Sequence, residues 1–350
     1  CNRVKKKGLT MKKVLLGALT GIGLATLTAM PALAEPVYNP PVNQVKMQKT
    51  QVPGYYRMMV GNNEVTAIYD GYGNLDASLM TDYTKFTKEE LDKMIDDAYV
   101  PRTELGGMEG TIIAYLVNTG DHLILIDSGK GETKAPIFLD EQGRLLDNMK
   151  AAGYTPDQVD IILPTHMHSD HINGITYKGK RVFKNATVYV PKEEKAFWID
   201  TPVDALPKEV QPYVELAHYA MDPYIKADKV KYYTSGQEVF SNVKSLPLFG
   251  HTPGHSGFEF TSNGEKILFW GDIIHCGPVQ LKHPEVAIEF DANADAARVT
   301  RDKMLKQVVK DKTLVASPHL PFPGFGHIEA SDDGQGYKWI PVTYHPLEKH

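Results

Sequence analysis

Residues 165–171 read Thr-His-Met-His-Ser-Asp-His, which places three imidazoles and one carboxylate within six consecutive positions. Imidazole nitrogen and carboxylate oxygen are the donors that borderline divalent ions take. The preceding run, Val159–Leu163, is apolar and rich in β-branched residues, and Pro164 ends any ladder pairing, so the donors belong to a loop at a strand end. In an extended turn His166 and His168, two apart, point to one side, whereas adjacent Asp170 and His171 are poorly placed to share an ion with both. The spacing predicts two ions rather than one, and further donors elsewhere.

Three other loops offer them. The run Val243–Phe249 leads into Gly250-His251-Thr252-Pro253-Gly254-His255, which exposes His251 at a strand end as the third donor for the ion held by His166 and His168. His255 opens the next strand; it could itself ligate, and is read as a supporting group. Asp272 ends the apolar strand Ile267–Trp270, where a bare charge needs a partner, and is read as the bridging carboxylate. Asp127 stands at the matching position of an earlier strand and is expected to brace the ligand loops through hydrogen bonds to backbone or imidazole. His319, in the proline-rich loop Ser317–Gly324, completes the second ion's set with Asp170 and His171.

Two such ions would hold a bridging water as hydroxide near neutral pH and polarise a carbonyl or phosphoryl oxygen. The chain carries no Gly-x-Ser-x-Gly motif, in agreement with attack by that hydroxide. Asp170 and Asp272 are the catalytic carboxylates of this scheme, Asp170 orienting the water and relaying its proton. His275 is a candidate general acid, with a structural role as its alternative.

The elements that must position these groups alternate strand and helix. Tyr55–Val60 and Glu64–Tyr69 form an opening hairpin; Thr111–Val117 with His122–Ile126, and Gly257–Thr261 with Lys266–Trp270, form two more, each delivering an aspartate at its end. Thr87 and Glu90 make a capping box for a helix through Ala98, expected near the pocket mouth. Further helices are predicted over 143–152, Lys192–Ile199, 207–220 and Ala292–Val309, the last with Asp291 as N-cap. The pattern predicts one α/β domain, sheet packed on sheet with helices outside.

Met11-Lys12-Lys13, an apolar stretch to Met30 and Ala32-Leu33-Ala34 read as a signal peptide cleaved after Ala34, which implies an exported, periplasmic or secreted protein. Residues 1–34 are then upstream sequence and leader, 35–53 an N-terminal arm, and 54–350 a single domain. Loss of 1–34 removes six basic residues and no acidic one, moving the formal charge from −5 to −11, a poor match for nucleic acid. Only Cys276 remains, so no intramolecular disulfide forms, and no second membrane-length apolar run follows.

The ordered set HxHxDH, GHTPGH, a strand ending in Gly-Asp and a late histidine resembles the metallo-β-lactamase superfamily. Within it, Pro53–Met59, Thr165–His171, 250–257 and His319–His327 are similar to the exported methyl parathion hydrolases. The resemblance implies an αββα sandwich of two mixed β-sheets flanked by helices, a homodimer and a dinuclear site, zinc first among zinc, cobalt, manganese and iron. It implies the same partition of the seven ligands, and places Trp198 in the substrate pocket. Two features depart from the family: the loop Lys130–Gly143, and His275 and Cys276, polar groups close to the metals where the family carries apolar ones. The activity expected is hydrolysis of small neutral phosphotriesters, esters or lactones. Acyl-homoserine lactonase, β-lactamase, an iron-dependent oxidoreductase and a non-catalytic metal protein are the alternatives.

Overall fold

The structure, a computed structural model, describes residues 45–134 and 143–347. The chain divides into two units, Cys1–Thr50 and Gln51–His350. Of the first, residues 45–50 are described; they are exposed and form no helix or strand. The expected signal peptide lies outside the described residues, as does most of the loop that departs from the family pattern.

In the second unit, period-2 alternation of apolar residues builds two seven-stranded sheets. The first contains β1 (Tyr55–Val60), β2 (Asn63–Leu75), β3 (Met108–Asn118), β4 (Leu123–Ile126) and β5 (Ile161–Leu163). After a short ribbon, β6 (Thr176–Tyr177) and β7 (Lys180–Arg181), it continues with β8 (Thr187–Pro191) and β9 (Val230–Tyr233). The second contains β10 (Glu238–Phe240), β11 (Val243–Pro247), β12 (Ser256–Ser262), β13 (Glu265–Phe269), β14 (Leu314–Ala316), β15 (Phe325–Ala330) and β16 (Tyr337–Pro341). Each sheet holds an antiparallel hairpin followed by a parallel strand: β3/β4 then β5, and β12/β13 then β14. Both sheets are therefore mixed.

Alternation along β3 and β4 divides the core. Ile113, Tyr115, Val117, Ile124 and Ile126 face the other sheet, packing with Phe258, Phe260, Ile267, Phe269 and Phe325. Ala114, Leu116, Leu123 and Leu125 face outward, onto a layer from α3 (Leu145–Ala151), α5 (Lys192–Trp198) and α6 (Gln211–Ile225). Leu268, Trp270 and Val315 pack on Met304, Leu305 and Val308 of α8 (Ala294–Asp311). The four layers run helix, sheet, sheet, helix.

Shorter helices are α1 (Ser78–Thr81), α4 (Ser169–Ile172) and α7 (Gly277–Gln280). Helix α2 (Lys88–Asp97) has the expected capping box, but Leu91 and Ile95 pack with Met108, Cys276, Val279 and Val286 rather than lining the metal pocket. Helix α6 runs to Ile225, beyond the predicted end, with Pro223 inside it. Helix α8 starts later than predicted, capped by the Asn293 side chain on Ala296 N–H. That shift frees Asp291 for another partner. No described helix is long and apolar enough to cross a membrane.

Candidate metal centre

Every candidate donor lies just past the C-terminal end of a strand, at one edge of the sandwich. His166, His168, Asp170 and His171 follow β5, His251 follows β11, Asp272 follows β13 and His319 follows β14. Side chains of the last strand residues are fixed by the core, so the loops that leave them are held at both ends.

Seven side chains form two groups. In the first, His166 Nε2 and His168 Nδ1 are 3.0 Å apart, His168 Nδ1 and His251 Nε2 2.9 Å, and His251 Nε2 and His166 Nε2 3.2 Å. Asp272 Oδ2 lies 3.1 Å from His251 Nε2 and 3.6 Å from His166 Nε2. In the second, Asp170 Oδ2 lies 3.4 Å from His171 Nε2 and 3.7 Å from His319 Nε2. Asp272 Oδ1 is 3.2 Å from each of those nitrogens. One carboxylate thus presents a different oxygen to each group, the arrangement expected of a bridge.

The donor set fits divalent ions. Three buried imidazole nitrogens facing one another leave lone pairs in opposition, which a cation about 2.0–2.1 Å from each would resolve. His171 Nε2 and Asp272 Oδ1 are buried and lack a hydrogen-bond partner among the described residues, the state of donors that belong to a third atom. Burial together with neighbouring imidazoles holds His166 and His168 well below the usual histidine range. At His251 burial opposes protonation, but the Asp272 and Asp291 carboxylates outweigh it and raise the ring to about 9. Burial likewise opposes protonation of His171 and His319, and Asp272 again prevails. These protons occupy positions that divalent ions would claim, so metal uptake would release them.

The second nitrogen of most of these rings is also committed. His171 Nδ1 and the Thr165 hydroxyl reach Asp127 Oδ2, while Asp127 Oδ1 accepts from Thr165 N–H. Asp127 therefore ties the His171 ring to Thr165, the residue that precedes His166. His166 Nδ1 meets the Thr165 hydroxyl, and His319 Nδ1 meets Thr111 C=O at 2.6 Å. His255 is outside both groups: Nδ1 donates to Leu248 C=O and Nε2 accepts from Asp272 N–H.

Three supporting residues escaped the sequence reading. Asp291, expected as a helix cap, instead accepts from His251 Nδ1 at 2.9 Å. Buried Arg301, on α8, lies 3.6 Å from Asp291 Oδ2 and donates to Ile273 C=O, Pro284 C=O and Val286 C=O. Glu194, fully buried on α5, accepts from Met167 N–H, Gly254 N–H and the Thr252 hydroxyl, tying the loop after β5 to the loop after β11. Burial pushes its carboxyl up to about 7 despite those bonds. Charged residues on helices give no spacing signal for contacts to distant loops; only a buried position in the amphipathic pattern could have flagged Arg301.

His275 meets Asp272 Oδ2 at 3.1 Å through Nε2 and stacks on His319 at 5.6 Å. Cys276 does not face the metal groups, contrary to expectation; its thiol is buried against Met108 Sδ at 3.5 Å, and burial raises it to about 12. Trp198 is 2 % exposed, its ring edge-on to His168 at 5.4 Å, and it lines a cavity of about 570 Å³ with Phe197, Leu206, Val210, Tyr213 and Phe290. Tyr213, Phe290 and His168 also wall the smaller pocket above the two donor groups, with Leu75 and Ile112 opposite.

Known proteins share this architecture. The Metallo-beta-lactamase superfamily profile matches residues 109–319. The crystal structure of hydrolase AbOPH, in the beta lactamase superfamily, is 39% identical at a TM-score of 0.77, covering 85% of this chain and 100% of its own. The dizinc quorum-quenching lactonase AidC, in complex with a product N-hexanoyl-L-homoserine, is 27% identical at a TM-score of 0.74, covering 84% of this chain and 99% of its own. An N-acyl homoserine lactonase of Bacillus sp is 24% identical over 245 residues, 65% of this chain and 88% of that protein. With a profile match spanning more than half its length and its donors arrayed at one edge of an αββα sandwich, the chain belongs to the metallo-β-lactamase superfamily of hydrolases.

Proposed function

We propose that the protein is a dinuclear metal-dependent hydrolase of small uncharged esters, and that lactones with an apolar substituent are its main substrate class. The observation that carries the reading is one buried carboxylate, Asp272, turned with a separate oxygen to each of two donor groups beneath an apolar pocket. Divalent ions there, zinc first, would supply a nucleophile drawn from water at neutral pH and polarise the ester oxygen. His166, His168 and His251 would hold one, Asp170, His171 and His319 the other, with Asp272 shared.

The chain's own residues shape the rest. Asp170 is the most exposed of the carboxylates, 18% at its side chain, and stands in the pocket wall where it can take a proton from the attacking water and return it to the leaving alkoxide. His275 is assigned to holding Asp272, because its Nε2 is spent on that carboxylate. Leu75, Ile112, Phe290 and Tyr213 would exclude water and seat an apolar group, and Trp198 would extend that surface past His168. Among the described residues that line the pocket none is Lys or Arg, which favours neutral substrates over the anionic carboxylates of β-lactams.

The lactone reading is supported by AidC and the Bacillus lactonase, with the pocket chemistry above. A second reading, aryl phosphotriesters, is favoured by the likeness of Pro53–Met59 and His319–His327 to methyl parathion hydrolases. The proposal includes export with cleavage after Ala34 and a homodimer, checked by N-terminal sequencing of exported protein and by light scattering. The test of substrate class is a panel of N-acyl homoserine lactone, aryl carboxylic ester and paraoxon at matched zinc loading. Fastest turnover of the lactone is expected; a higher kcat/KM on paraoxon replaces it with the second reading, and inactivity on all three overturns both.

A further inference from the structure

On the far side of His319 lies another cavity, of about 390 Å³, walled by Tyr69, Tyr72, Tyr99 and Phe322 with Glu109 and the Pro321 ring. Its volume is that of a small-molecule site. Of the seven proposed metal donors it shares only His319, so it stands apart from the function proposed above.

Two properties set its chemistry. The first is its π-surface. Tyr69, half-buried, meets Phe322 edge to face at 5.8 Å and 86°, which turns ring planes at right angles around one space. Tyr99 is 92 % exposed and holds a left-handed backbone, φ 56°, a costly conformation for a bulky residue that delivers its ring to the cavity rim instead of to the core. Aromatic faces carry negative quadrupole charge and attract cations.

The second is an unanswered charge. Glu109 is partly buried, and among the described residues its side chain has neither a salt bridge nor a hydrogen bond. Burial raises its carboxyl, and no cation offsets that. Tyr69 and Glu109 line the same cavity, and burial first, then the Glu109 charge, raises the Tyr69 phenol to about 12. A partly buried carboxylate lining the same cavity as several rings favours a ligand that is positive and weakly hydrated. A bare metal ion would find one carboxylate only, and a neutral arene would leave Glu109 unpaired.

We propose that this cavity binds a small organic cation of the alkylammonium class, with Glu109 as counter-ion, Tyr69, Tyr72 and Phe322 as its aromatic walls and Tyr99 at its rim. The formal charge of −5 on the chain adds a favourable long-range field for such a ligand.

The experiment uses the full, metal-loaded protein and titrates it with choline and with 3,3-dimethylbutan-1-ol, which has the same shape with carbon in place of the charged nitrogen. Heat and tyrosine fluorescence report binding. Choline is expected to saturate, and the neutral isostere to bind about tenfold more weakly or less. Glu109→Gln should weaken choline about fivefold or more and leave the isostere unmoved, and added salt should weaken choline alone. Phe322→Ala, at the cavity rim, should weaken both ligands, and urea midpoints confirm that each variant is folded. Equal affinity for the two ligands, no saturation with choline, or unchanged choline affinity in Glu109→Gln would overturn the proposal.

Discussion

At the residue scale, one carboxylate stands between the two donor groups. Asp272 touches both donor groups, so Asp272→Ala should reduce bound metal from two equivalents to one or none, read by elemental analysis after gel filtration. Asp291 acts one step away, orienting His251, and Asp291→Ala should weaken metal binding about 10–100-fold in a chelator competition, and, by leaving buried Arg301 without its carboxylate, also lower the urea midpoint of the metal-free protein. Equal chelator sensitivity of variant and parent would remove Asp291 from the metal machinery. Cys276 gives a contrasting result: buried, with its thiol raised to about 12, it should resist iodoacetamide at pH 8 and react fully only after unfolding. Rapid alkylation of Cys276 itself in the native protein, located by peptide mapping, would mean that the segment after Asp272 opens to solvent. The seven donors were legible in the sequence because each follows a strand with a recognisable end. Asp291, Glu194 and Arg301 were not, because their partners are distant in sequence and their own surroundings read as ordinary helix caps and helix faces.

At the element scale, loops at strand ends carry the chemistry, and backbone devices hold the loops. Gly250 precedes His251 at φ 131°, and a Cβ there would come within 2.3 Å of Ala297 N, on α8. Gly250→Ala should therefore displace either the helix or His251, lowering both the urea midpoint and metal affinity. Asp70, at the irregularity of β2, is buried and accepts from Lys130 N–H and Leu145 N–H, and burial raises its carboxyl to about 6 despite those bonds. A folded-state value above the unfolded one means that its contribution is complete below about pH 4 and is lost as pH rises through about 6. The stability difference between the parent and Asp70→Asn should accordingly favour the parent more at pH 4.5 than at pH 7.5, by about 2 kcal/mol. A difference that is flat with pH would show Asp70 titrating as an ordinary carboxyl. Hairpins and the capped helix α2 were legible from alternation and from Thr87 with Glu90. Strands β9, β10, β15 and β16 were not: they are short or partly exposed, and their pairing comes from neighbours in the sheet rather than from a local pattern.

At the scale of the whole molecule, two sheets with similar hairpin-plus-strand units meet edge to edge in function. The first contributes His166, His168, Asp170 and His171, the second His251, Asp272 and His319. Metal bound between them should act as a clamp on the sandwich. Chelation is expected to lower Tm by roughly 5–10 °C, measured by calorimetry, since a ligand present at about 100 times its Kd adds about 2.7 kcal/mol. The layered fold was readable from strand and helix order; what the sequence alone left open is the pocket, assembled from Leu75, Ile112, Tyr213 and Phe290 on four separate segments. The most direct test of the central claim is hydrolysis of N-hexanoyl homoserine lactone by metal-stripped protein as zinc is added back in measured equivalents. The account predicts negligible turnover without metal and a rise that levels off at two equivalents per chain. Full activity without metal, or a plateau at one equivalent, would contradict it.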